Sequence, residues 1–112
     1  MTKVEVHAGV CGFKTIVTAE TKDEQTVAVS LSTGCPNLKG ANLGLVDAYA
    51  EIFSKPHEGT VYKTLSQHVP HTACPIYSGV LKAIEAEAKL ALPRDVSFRF
   101  IDDNKDNDKA EE

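Results

Sequence analysis

Three runs of alternating apolar residues, separated by only a few turn residues each, occupy the first third of the chain. Val4, Val6 and Ala8 alternate with Glu5 and His7, the period of two that a half-buried strand needs. Gly9-Val10-Cys11-Gly12 reads as a turn, and Phe13 to Glu20 is β-branched, with Phe13, Thr15, Val17 and Ala19 on one face. After the polar stretch 21–25, Val27, Val29 and Leu31 alternate with Ala28, Ser30 and Ser32. Three consecutive strands with links this short can pair only as an antiparallel meander.

Beyond Thr33 the period changes. Gly34, Cys35, Pro36 and Asn37 end the third strand, and from about Leu43 to Phe53 the apolar residues Leu45, Tyr49, Ile52 and Phe53 fall at helical spacing. A break at 54–59 precedes a short helix from Thr60 to Val69 with Val61, Leu65 and Val69 on one stripe, stopped by Pro70. Pro75 suits the start of a further helix. Tyr77, Val80, Leu81, Ile84, Ala88 and Ala91 then form the best helical stripe in the chain. Pro93 ends it, and Val96, Phe98 and Phe100 alternate as a last strand. The order β-β-β-α-(α)-α-β predicts an α+β fold: a mainly antiparallel sheet covered on one face by helices. One domain is expected over residues 1–101 of the 112.

The formal net charge of −4 is local. Residues 102–112 hold six acids and two lysines, leaving ten of each sign before them. A segment so charged and so poor in apolar residues is expected to be a disordered acidic tail. Asp102, Asn104 and Asp106 mimic the first ligands of an EF-hand loop, but Asn107 occupies its glycine position. A neutral body without Trp argues against nucleic acid as a partner, because phosphate neutralisation supplies most of that affinity. No run approaches the ~18 apolar residues of a membrane span. The start, Met1 to His7, has no apolar core of a secretory signal, so a cytoplasmic setting is expected.

The chemistry lies in the three cysteines. Strands one and three of a meander point the same way, so Cys11 and Cys35, each following one of them, belong at one end of the sheet. If the final strand runs parallel to strands one and three, the last helix must first descend across the sheet, which would place Cys74 at that end too. Thiolates bind zinc, iron and iron–sulfur clusters, and tetrahedral sites take four cysteines or three with a histidine. His68 and His71 precede Cys74 at intervals of three, so either could complete the set. The fourth ligand could instead be solvent, an exogenous thiol or a residue from a second copy, which keeps a homo-oligomer in view. A cysteine at the head of a helix also favours its thiolate, as a nucleophile or sulfur carrier requires.

Against this stands packing, since free cysteine is among the most buried residue types. His7 and His57 read as surface residues. No phosphate loop, Gly-x-Ser-x-Gly elbow or acid–base pair is evident. Enzyme status stays open and leans to no. Three readings remain: a metal- or cluster-binding protein, a thiol protein using Cys74 with Cys35 resolving, or an interaction module with structural cysteines.

The run His7-Ala8-Gly9-Val10-Cys11-Gly12-Phe13, with Ala73-Cys74-Pro75-Ile76 and Leu81-Lys82-Ala83-Ile84-Glu85, resembles a family of small single-domain proteins of unknown function from anaerobic bacteria and archaea. That likeness covers residues 3 to about 101 and implies domain limits and a cytoplasmic setting, not a reaction. Cys74-Pro75-Ile76-Tyr77 is also similar to the Cys-Pro-x-Pro helix start of sulfur-carrier proteins, with Tyr77 where the second proline stands.

Overall fold

A computed structural model describes residues 1–102. Strands β1 (Thr2–His7), β2 (Lys14–Thr21) and β3 (Thr26–Thr33) form the expected meander. Val4 lies opposite Val17, and Val17 opposite Leu31. Each strand buries one face: Val6 on β1, Thr15, Val17 and Ala19 on β2, and Val27 and Val29 on β3. At the β2–β3 hairpin the Asp23 carboxylate accepts from the Gln25 and Thr26 amides, which holds its pKa below the ordinary carboxylate value. The fold is α+β, a four-stranded antiparallel sheet in the order β1-β2-β3-β4 with three helices, of which α3 lies across the buried face and α1 and α2 pack against α3.

The fourth strand is not the one the sequence pattern suggests. Gly44–Asp47 pairs with β3 as β4, and helix α1 occupies only Ala48–Phe53. The expected stripe over 43–53 fails accordingly: Leu45, Tyr49 and Phe53 are exposed, whereas Val46, Ala48 and Glu51 are buried. Gly44 adopts φ 57°, a left-handed bend suited to glycine, and Val46 then faces Val27. Asp47 caps α1 by accepting from the Ala50 amide at 3.1 Å.

The strand expected over Val96–Phe100 does not form. Residues 93–101 carry no strand assignment, and Val96, Phe98 and Phe100 face solvent. The alternation is real, but no partner strand within the described chain takes it up. Of the acidic tail, residues 103–112 lie outside the described residues.

Helices α2 (Thr60–Ser66) and α3 (Ile76–Glu87) follow the predicted stripes closely. Val61 and Leu65 are buried from the first, which ends at Ser66, short of the expected Val69, and Val69 is buried from the loop beyond it. Tyr77, Val80 and Ile84 are buried from the second, with Leu81 and the C-cap Ala88 partly so and Ala91 past its end. Pro75 is the N-cap of α3, one position before that expected. Tyr77 stacks on Tyr62 of α2 with ring centroids 4.8 Å apart.

Two contacts orient α3. Gly79 rests on Val6, so closely that a β-carbon there would overlap Val6 Cγ2. At the other end, Glu87 accepts from Thr2 Oγ1 at 2.7 Å and from the Thr21 amide and hydroxyl at 2.9 Å each, with the Met1 ammonium at 3.4 Å. Helix α3 therefore runs opposite to β1. The Thr2 hydroxyl and then the Thr21 groups hold the Glu87 carboxyl at about 2, below its ordinary 4.5.

A folded-state pKa below the unfolded one adds stability that is complete above about pH 4.5 and is lost as pH falls towards about 2. A carboxylate at a helix C-terminus opposes the macrodipole, and water reaches this site. The expected worth is therefore discounted to about 1–2 kcal/mol at neutral pH. Urea unfolding of Glu87→Gln should show that loss at pH 7 and a much smaller one at pH 3. Equal losses at both would contradict it.

Candidate functional site

Because β1 and β3 are parallel and α3 opposes them, three loops meet the same end of the sheet. The first is the turn Gly9–Cys11, a single 3-10 turn closed by the Gly12 amide on the Gly9 carbonyl at 2.9 Å. Gly12 takes φ 75°, which lets the chain re-enter β2. The second loop, 34–43, begins with Cys35, whose amide donates to Thr33 Oγ1 at 3.0 Å. Thr33 Oγ1 in turn lies 2.7 Å from the buried Thr15 hydroxyl, so the start of the loop is tied to β2. The third, 67–75, carries His68, His71 and Cys74 and ends at the head of α3.

Two glycines show how close the neighbouring loops lie. A β-carbon at Gly34 would stand 3.7 Å from Phe13 Cδ1, and one at Gly40 would stand 3.9 Å from His68 Cε1. Phe13, which follows the first loop, therefore lies beside Gly34, and His68 of the third loop lies beside Gly40 of the second. Leu38, buried in the second loop, and Val69, buried in the third, bind both to the core.

Within this end the candidate ligands differ in setting. Cys11 is exposed; Cys35 and Cys74 are half-buried and pack against the core cluster. His68 is half-buried and His71 exposed. The Cys74 amide donates to the His71 carbonyl at 3.2 Å, which tightens the approach to α3. Cys74 also lies close enough to Tyr77 to act on it: burial first, then the Cys74 charge and then Tyr62, push the phenol above its ordinary pKa. The common end is as the topology implies, but among the described residues no three His, Cys, Asp or Glu side chains stand together to hold a metal. His7 and His57, read as surface residues, are exposed; His7 lies 2.9 Å from Glu5, whose pKa that contact and then Lys14 lower.

Sequence reasoning missed one feature, a groove of about 260 Å³ between α1, the 54–59 loop, α2 and α3. Its charged groups are engaged within the fold. Glu51 accepts from the Thr60 and Val61 amides at the start of α2, and Lys82 pairs with Glu85 at 2.8 Å. The sequence carries no signal for it: Glu51 reads as an ordinary solvated carboxylate but is buried here.

No described helix is long and apolar enough to cross a membrane. The family model described as a family of unknown function (DUF6951) matches residues 2–100. No curated protein and no solved structure matches the chain.

Proposed function

The chain belongs to this family of unknown function, and we propose that it holds a soft metal ion or an iron–sulfur cluster at the loop end of its sheet. The observation that carries the reading is the meeting of three loops that bear every candidate ligand. Cys11 is on the first, Cys35 on the second, and His68, His71 and Cys74 on the third, with Phe13 beside Gly34 and His68 beside Gly40. Cys35 and Cys74, anchored to the core, would be the fixed pair. Cys11 and one histidine lie on surface loops and would complete the set as metal binds. Metal sites seldom stand fully formed before binding, and part of the binding free energy organises them. Zinc, or iron with sulfide, suits three thiolates and an imidazole.

The test is the metal and acid-labile sulfide content of untagged protein purified without oxygen. Stoichiometric zinc or iron is expected, and Cys35→Ser and Cys74→Ser should each lower occupancy at least tenfold. Metal-free protein, or serine variants of all three cysteines with unchanged occupancy, would overturn the proposal.

A second reading has its own support. Cys74 stands at the head of the twelve-residue helix α3, half-buried beside Tyr77. That position suits a thiol that carries sulfur or forms a mixed disulfide. It requires Cys74 to alkylate much faster than Cys11 although Cys11 is the more exposed. The reverse order would exclude it.

A further inference from the structure

The segment after α3 has the pattern of a strand and pairs with no strand among the described residues. Phe98 is 80% exposed and Phe100 fully so, with Val96 beside them in the same alternation. These residues hold two of the four phenylalanines in the chain. With this segment included, the molecule measures 50 Å along one axis against 31 and 25 Å along the others. Large apolar side chains in such a row rarely stay in water on a monomer. The sheet meanwhile ends in β1, which pairs only with β2 among the described residues and leaves its other edge open. An open edge is a template for a further strand.

We propose that residues 95–101 add to the free β1 edge of a second copy of this chain, each copy giving its arm to the other. Three features fit that occupant. Helix α3 ends where β1 begins, since Glu87 bonds Thr2. An arm leaving α3 therefore starts at the correct end to run parallel to its own β1, and exchange between two copies would repeat that pairing in trans. The residues 88–94, including the left-handed Lys89 at φ 62° and Pro93, are the hinge that turns it outward instead of back.

The second feature is register. Setting Val96, Phe98 and Phe100 beside Thr2, Val4 and Val6 puts all six on the helix-covered side of the sheet, where Val4 is only partly buried. The third is charge. The same register brings Arg99 beside Glu5 on the open face, a cross-strand pair of opposite sign. A one-residue slip would turn the phenylalanines to that open, polar face. The four-residue β4 is shorter than the arm and passes directly into α1, so β1 is the edge of matching length. Reciprocal exchange uses the same patch twice and closes as a two-fold dimer. The inference is independent of the cysteine site.

The experiment is sedimentation velocity of the full chain at tens of micromolar, with hydrogen exchange of the β1 amides, for the wild type and for Phe98→Asp/Phe100→Asp. The expected wild type has twice the chain mass and slow exchange along β1. The double variant should be a monomer with an unchanged circular dichroism spectrum, because its substitutions lie off the body, and with β1 amides exchanging at least tenfold faster. A monomeric wild type, a dimer that survives the double substitution, or β1 exchange equal in the two proteins would each overturn it.

Discussion

Gly79→Val is expected to destabilise the fold by about 3 kcal/mol or more, the high end of what forced overpacking costs. At this position helix α3 lies directly on β1, and even a β-carbon would overlap Val6 Cγ2, with Val6 Cβ at 3.6 Å. Valine is stiff about χ1, and Val6 is buried, so it cannot turn aside freely. The helix must lift, and lifting it pulls Val80, Ala83 and Ile84 from the sheet. Gly79→Ala has two opposed effects, since alanine gains about 1 kcal/mol of helix propensity while its methyl meets the same atom. A net loss of about 1–2 kcal/mol is expected. The decisive measurement is the double-mutant cycle by urea unfolding. In a Val6→Ala background, Gly79→Ala should become neutral or stabilising. An alanine that costs the same in both backgrounds would show that the close approach is not what sets the cost.

That glycine illustrates which parts of the fold could be read in advance. The alternation in β1 to β3 and the stripes of α2 and α3 are local periodicities, and burial largely follows them, although Phe13 is exposed and Val4, Leu31 and Leu81 are only partly buried. Gly79 carries no such signal, because its role lies in a neighbour 73 positions earlier in the chain. The region 43–53 misleads for a related reason. Leu45, Tyr49, Ile52 and Phe53 have helical spacing, yet Gly44 bends the chain so that Leu45 and Val46 join β3, and the short α1 turns Tyr49 and Phe53 outward. Tertiary pairing overrides a short periodic run. The pattern of Val96, Phe98 and Phe100 is a strand pattern, but periodicity says nothing about where a partner edge lies. Strand directions alone put Cys11 and Cys35 at one end of the sheet, but the descent of α3 that brings Cys74 there was argued from a last strand parallel to β1 that does not form. The contacts of Gly79 with Val6 and of Glu87 with Thr2 set it instead. The absence of a ready ligand cluster among the described residues could not be read, because it depends on loop conformations that Gly12, Thr33 and Leu38 set through individual contacts.

Glu51→Ala is expected to cost about 2–3 kcal/mol, more than the usual loss of a helix cap. Glu51 lies on α1, is 9% exposed, and reaches across to the start of α2. There its two oxygens accept from the Thr60 amide at 3.0 Å and the Val61 amide at 2.8 Å. No side chain of α2 itself performs this task, because its N-cap is Gly59. Glycine is what leaves room: a β-carbon there would already lie 3.3 Å from Glu51 Oε1. Removing the carboxylate leaves two amides without their acceptor, one of them on the fully buried Val61, and opens space beneath α2. Glu51→Gln keeps one accepting oxygen but turns an NH2 donor towards an amide donor, so it should recover less than half the loss. The distinguishing readout is the site of the damage. Hydrogen exchange at Thr60 to Leu65 should accelerate more than at β1 or β2, because only the α1–α2 joint has lost its fastening. Uniform acceleration across the sheet would mean that Glu51 acts through global packing and not as the cap of α2.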